Sequence, residues 1–465
     1  MPRCSLLRAL LLSLATLASL AAPPRTLRVD YGHTGDAAAE RFGVDRVVRE
    51  PLPWPGDPAR TVDTSNLGKY GFEVADKGTG RLLYSRGFAS IFGEWETTDE
   101  AKALSRTFSE SLRFPQPEAP VRITVKKRDA KNAFRSLWSF DLDPKDPLIE
   151  QAAGPEAGAL ITLQKAGDSA DKVDVLILGD GYTAAERGKF EAQARKVMDL
   201  LFEQTPFKEH RKDFNVWALC PPSRESGISR PSTGLHRRTP LGTTYDAFGS
   251  ERYVLTFDHR AFRDIAAQAP YEFVEILANA ETYGGGGIHN LYSTASAGNS
   301  TIGYLFVHEF GHHFAGLADE YYTSDVAVTN SPDRPEPWEP NVTANPRQPK
   351  WGALLSPGAP LPTPWKKAEF EAHSHDYQKE RRAIRAANQP EAVMDALFAK
   401  EKVYETHLLG TDAHSGKVGA FEGANYEAKG YFRSQEDCLM FTRDDVGFCA
   451  ACRAAIEQVI RQYAK

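Results

Sequence analysis

The stretch Phe306 to Tyr322, FVHEFGHHFAGLADEYY, restricts the possible folds more than any other part of the 465-residue chain. His308 and His312 are four residues apart, and on a helix such positions share a face, so both imidazoles can reach one ion. Glu309 sits beside the first histidine and off the line of the two ligands, where its carboxylate can reach a water next to that ion. This is the arrangement of a metallopeptidase general base. Gly316 is where the helix can end in a left-handed residue, after which the chain turns back. The reversal lets Asp319 return to the ion as third ligand, with Glu320 as the alternative, and leaves a fourth position open, as in catalytic zinc sites. Without a cation, burying two histidines and several carboxylates on an apolar helix would be costly. His313 points about 100° around the helix from His312, so packing or a hydrogen bond behind the ligands is expected of it. A site completed by a glutamate from a later helix fits less well, because the next acids, Glu336 and Glu339, lie in proline-broken sequence.

The N-terminus, MPRCSLLRALLLSLATLASLAAPPRTL, has arginines at 3 and 8, a Leu/Ala run, and small residues around Ser19 and Ala21 before two prolines. It reads as a signal peptide over residues 1–21, which predicts an exported protein, secreted or periplasmic, with no membrane span. Cys220, Cys438, Cys449 and Cys452 would remain in the mature chain. In an oxidising compartment disulfides are the expected state, with a structural zinc held by FCAAC, Cys438 and Cys220 as the competing one. The formal net charge of −6 is scattered in short mixed clusters, without the basic stripe that a phosphate backbone demands, so nucleic acid is excluded as a partner.

Short alternating runs such as TLRVDY, YGFEVAD, RLLYSRGF and PVRITVKKR, separated by Gly, Pro and Asp, predict a small β-sandwich-like, all-β domain over residues 22–150, a passive or spacer module. A Gly/Ala/Pro stretch, EQAAGPEAGAL, marks its end. Residues 158–465 read as an α/β (α+β) domain. VDVLIL, FNVWAL and ERYVLTFD are its strands, and Thr183 with Glu186 forms a capping box that starts a helix. GDGY lacks the third glycine of a dinucleotide-binding fingerprint. The segment around Ile288, His289 and Asn290 reads as an edge strand with which an extended substrate can pair. Ser300 is a candidate N-cap for the motif helix. Residues 325–410 read as a Pro-rich and helical insertion, with a helical hairpin from Lys366 to roughly His407.

HEFGHHFAGLADEY resembles the signature of the IgA metallopeptidase family, metzincin-like zinc endopeptidases named after a member that cleaves immunoglobulin A. The resemblance extends through LILGDGYTAAE, GGGGIHN, EPWEPNVT, AFEGANYEAKGYFRSQEDCLMF and FCAACRAAI, and so covers most of the chain from about residue 160. It implies a metzincin-like catalytic domain behind a β-rich one, and one catalytic Zn2+ on His308, His312 and Asp319 with Glu309 as base. It further implies that Met440 forms a Met-turn beneath the metal. Where many metzincins carry a tyrosine two residues later this chain has Thr442, so Tyr426 and Tyr431 become the candidate transition-state donors. The implied partner is a protein or peptide substrate of unspecified identity, acted on by a chain taken as a monomer. The alternative is a secreted binding or adhesion protein with a vestigial site, against which the presence of Glu309 argues.

Overall fold

The computed structural model describes residues 23–151, 154, 156–324, 326 and 334–465. The expected signal peptide lies outside the described residues. In the N-terminal region, alternating sequence becomes two four-stranded sheets. One has the order Arg106–Pro115, Arg25–Gly35, Glu40–Pro53, Glu150–Gln151, the other Leu82–Phe88, Tyr70–Asp76, Val121–Arg128, Phe134–Leu142. Register follows burial: Val121, Ile123 and Val125 are buried, and Ile123 lies opposite Val74 on one neighbour and Phe140 on the other. Leu27, Val29, Leu112 and Phe114 from the first sheet meet Phe72, Val74, Ile123 and Val125 from the second in one core.

Two expectations for this region fail. It is not all-β: the helices Ile91–Trp95 and Asp99–Ala103, capped by the side chains of Ser90 and Thr98, interrupt it. Single turns are too short to leave a helical period in the sequence. Nor is it a spacer. Ile91, Phe92 and Trp95 share a core with Leu176, Leu178, Trp217 and Ile276 of the larger domain. Ion pairs reinforce the joint, with Arg28 and Arg46 both reaching Asp264.

The larger domain is built on a six-stranded sheet in the order Gly285–Ile288, Tyr292–Ser296, Phe273–Ala278, Val173–Asp180, Phe214–Leu219, Ile161–Gln164. The four inner strands are parallel, and both edge strands run antiparallel to their neighbours. Every residue of Val173–Asp180 and Phe214–Leu219 is buried, as continuous apolar runs in a parallel sheet should be. ERYVLTFD is not a strand of this sheet and makes only isolated bridges. Its expected place belongs to Phe273–Ala278, whose apolar run is broken in the sequence by the buried Glu275. One face of the sheet packs on the N-terminal region and the helix His259–Ala266. The other is covered by the helices Arg187–Leu201, Ile302–Ala315 and Ala450–Tyr463. Lys367–Ala386 and Glu391–Gly410 form a helix pair on that side, followed by a small sheet in which Glu427–Arg433 pairs with Phe421–Ala424 and Val342–Thr343. No helix among the described residues is long and apolar enough to cross a membrane.

Candidate active site

The motif residues occupy the helix Ile302–Ala315, which starts after Thr301 and not at Ser300. The glycine run before it explains how the helix reaches the sheet. A Cβ on Gly287 would stand 2.3 Å from the Glu309 carbonyl oxygen and 2.8 Å from His312 Cβ, and one on Gly285 would stand 3.1 Å from Glu309 Cγ. The edge strand therefore lies directly against the helix turn that carries the polar groups. Gly311 serves the opposite side, where a Cβ would meet Leu317, Phe448 and Met440 Sδ at 3.2–3.3 Å. The helix ends at Gly316 with φ of 60°, and a side chain there would collide with Trp338.

Beyond Gly316 the chain doubles back and Asp319 Oδ1 comes to 3.0 Å from His308 Nε2 and 3.3 Å from His312 Nε2, while the two Nε2 atoms are 3.1 Å apart. Each imidazole is turned by its other nitrogen: His308 Nδ1 lies 3.1 Å from Leu439 O, and His312 Nδ1 lies 2.6 Å from Leu317 O. With Nδ1–H donated to these carbonyls, both Nε2 lone pairs face a common point. Asp319 Oδ1 faces the same point, buried and without a hydrogen-bond donor among the described residues. Bonds of about 2.0–2.1 Å around a tetrahedral zinc place neighbouring ligand atoms roughly 3.3 Å apart. The observed triangle fits such a face.

The electrostatics agree. Burial pulls the His312 imidazole down, but the Asp319 carboxylate outweighs it and the pKa is pushed up to about 9. Burial likewise works against the Asp319 carboxylate, and the two histidines still hold it well below the usual range. Such a donor set binds positive charge. A carboxylate oxygen of Glu309 and nitrogens of the two histidines lie within 4.8 Å of one another. Burial raises the Glu309 carboxyl above its ordinary value, with His308 and His312 opposing.

Met440 is fully buried beneath Gly311, and its carbonyl accepts from Glu320 N–H at 2.8 Å, joining this turn to the Asp319 loop. Tyr426 donates its hydroxyl to Asp319 Oδ2, so it holds that carboxylate in place. Tyr431 lines the cleft, but its hydroxyl donates to Pro335 O at 3.0 Å. Tyr321, not singled out in the sequence, has its ring stacked 6.3 Å from that of His308 and its hydroxyl held by Arg252 Nη2 at 3.0 Å. Asn341 was also missed: its amide bonds Ala318 N, Ala318 O and Glu320 Oε1 at 2.8–2.9 Å and pins the loop. The signals were slight, a tyrosine next to the motif's acids and an asparagine in a proline-rich run. His313 bonds Ile288 O through Nδ1 and accepts from Val274 N–H at Nε2, and burial drives its pKa down to about 3. Glu336 bonds Thr343 and Ala344 instead of joining the triangle.

His308, Glu309, His312, Asp319, Tyr321 and Tyr426 line a cleft of about 460 Å³. Its edge strand is Gly285–Ile288, so Ile288 belongs to the strand while His289 and Asn290 form the turn that follows, Asn290 with φ of 54°. This corrects the expected strand segment: Asn290 needs a left-handed backbone, and both residues are tied to His313 O. Lys69, Gly93, Glu94, Thr97 and Arg128 of the N-terminal region form part of the cleft wall. No disulfide joins the four cysteines of the described chain, contrary to expectation. Cys220 lies beside Gly179, apart from the other three, and burial pushes its thiol up to about 12.

A family model described as IgA Peptidase M64 matches residues 161–460, and one described as Peptidase M64 N-terminus matches residues 21–139. No curated protein matches the chain.

Proposed function

The chain belongs to the IgA Peptidase M64 family and is a peptidase, and from that premise we propose that it is an exported, zinc-dependent endopeptidase with a metzincin-like catalytic domain at residues 158–465 and a sandwich-like domain at 22–150. The observation that carries this reading is the triangle of His308 Nε2, His312 Nε2 and Asp319 Oδ1 with the Glu309 carboxylate beside it. Export rests on the composition of residues 1–21.

His308, His312 and Asp319 would hold the ion, and the chemistry it supplies is Lewis-acid polarisation of the scissile carbonyl and acidification of a water. Glu309 removes the proton from that water and returns it to the leaving amine. Its opposed electrostatics, burial against two imidazoles, suit a group that must both gain and lose a proton. Tyr321, oriented by Arg252, is the donor assigned to the developing oxyanion, because the hydroxyls of Tyr426 and Tyr431 are engaged elsewhere. The substrate backbone pairs with the edge strand. Gly285 already bonds outward to Arg252 O and Val254 N–H, so Gly287, two residues on, presents its own backbone groups along the same edge. The family's description does not fix immunoglobulin A as substrate, since specificity depends on the pockets of this cleft.

Glu309→Ala should keep its zinc, measured by elemental analysis, while casein cleavage falls by about 10²–10⁴-fold. Equal cleavage by both proteins would remove Glu309 as the base. A wild type that folds well yet binds no ion at the histidine site would favour a secreted binding protein with a vestigial site.

A further inference from the structure

Glu320 turns away from the cleft. Its carboxylate is fully buried and lies against three cysteines drawn from two segments: Cys438, two residues before Met440, and Cys449 and Cys452 at the start of the helix Ala450–Tyr463. One ligand atom from each of the four falls within 4.8 Å of all the others. Cys438 Sγ and Cys452 Sγ are 3.8 Å apart, and Glu320 Oε1 is 3.5 Å from both Cys449 Sγ and Cys452 Sγ. Zinc–sulfur bonds of about 2.3 Å and zinc–oxygen bonds of about 2.0 Å put tetrahedral S–S edges near 3.8 Å and S–O edges near 3.5 Å. The match holds for both kinds of edge.

The surroundings are those of thiolates. Cys438 Sγ accepts the backbone N–H groups of Met440 at 3.4 Å and Cys449 at 3.2 Å. Cys449 Sγ accepts the Ser434 hydroxyl at 3.0 Å and the Cys452 N–H at 3.4 Å. A neutral thiol is a weak acceptor, whereas donors aimed at a metal thiolate offset its charge. Asn341 Nδ2 donates to Glu320 Oε1 at 2.9 Å, and Glu320 Oε2 is buried with no partner among the described residues. Arg433, itself fully buried, is within electrostatic reach of Glu320.

We propose that Cys438, Cys449, Cys452 and Glu320 form a second, structural zinc site, closed to solvent and distinct from the histidine site. Binding an ion there releases the thiol protons to water and adds no redox step. Four protein ligands leave no position for substrate, so the ion's work is mechanical. It ties the loop that carries Asp319 to the turn that carries Met440 and to the C-terminal helix. The site stands on the cysteine geometry alone and does not depend on the peptidase reading.

The test uses the full mature chain loaded with Co2+. A thiolate-to-cobalt charge-transfer band in the near ultraviolet is expected, because histidine and aspartate cannot produce one. The band should survive His308→Ala/His312→Ala, in which zinc falls from two ions per chain to one, and should vanish in Cys449→Ser with loss of one ion. Should Cys449→Ser fail to fold, the wild-type spectrum and its thiol count after denaturing alkylation still decide the matter. A cobalt-loaded wild type with no such band, or a Cys438–Cys452 disulfide in the purified protein, overturns the proposal. A wild type with the band but a single ion that the histidine variant retains supports it while removing the zinc assigned to the histidine site.

Discussion

Asp319 and Glu320 are neighbours in the chain and belong to opposite kinds of site. Asp319 completes a triangle that opens on the cleft; Glu320, one peptide further, points into a sealed cluster of three thiols. In an extended loop successive side chains diverge, so one short reversal after Gly316 supplies both. The difference teaches that the open set has three protein donors and room for a reactant, while the closed set has four and none. On the proposed reading, the first serves the chemistry and the second holds the first in place. Met440 lies between them, its sulfur under Gly311 and its carbonyl on Glu320 N–H.

The largest effects should come from neutralising each acid separately. Asp319→Asn should abolish cleavage and cost some stability through the histidines it leaves unpaired, whereas Glu320→Gln should keep the histidine site's ligands and destabilise the fold more, by about 3–5 kcal/mol, through loss of one ligand of the closed site. Casein cleavage and chemical unfolding of the two variants check the contrast, and equal stability losses would dissolve it. Next in size, Tyr321→Phe should lower kcat by about 10²–10³-fold with little change in KM if its hydroxyl meets the oxyanion. Tyr426→Phe should instead weaken zinc affinity by about 10–100-fold, because it acts through Asp319. Steady-state kinetics and chelator competition separate the two. Smaller again, Gly287→Ala should cost about 1–3 kcal/mol, since the added Cβ collides with helix backbone. Thermal unfolding reads that loss.

The N-terminal region offers a buried polar cluster that closes without any ion. His33 is bonded on both nitrogens, Nδ1 to Glu110 at 2.9 Å and Nε2 to Glu40 at 2.8 Å. Burial lowers its pKa, but the two carboxylates outweigh that and raise it above 6.5. A raised folded value means that the stabilisation is complete below the unfolded pKa and is lost as pH rises through the folded one. Unfolding followed from pH 6 upward should therefore show a falling stability that His33→Gln lacks, a difference of about 1 kcal/mol. A pH-independent difference between the two proteins would show that the cluster does not carry the charge assigned to it.

Much of the site was legible because it is local. The spacing of His308, Glu309 and His312 and the glycine at 316 are properties of one helix and its end, where sequence separation and spatial separation are nearly proportional. The N-terminal strands were legible for a similar reason, since alternation has a period of two. Less legible were features that depend on contacts between distant segments. Phe273–Ala278 carries a buried glutamate that disguises it, and the turn at His289 and Asn290 reads as strand until its backbone is seen. Tyr321 gains its role only through Arg252, 69 residues earlier. The spacing of Cys438, Cys449 and Cys452 already sets them apart from Cys220, but nothing in it names Glu320 as their companion.

By itself, the sequence determined that this chain would present two imidazoles and a carboxylate from one helix and the bend after it, because helical pitch and a left-handed glycine permit little else. It determined too that a strand-rich region would precede an α/β domain. Only the tertiary structure decided that Glu320 faces the thiols and Asp319 the histidines, that Asn341 and Met440 lock the loop between them, and that the N-terminal region walls the cleft. Those outcomes depend on which surfaces are buried against each other. Burial is a property of the packed whole, set by the balance of apolar contact and satisfied polar groups across segments far apart in the chain.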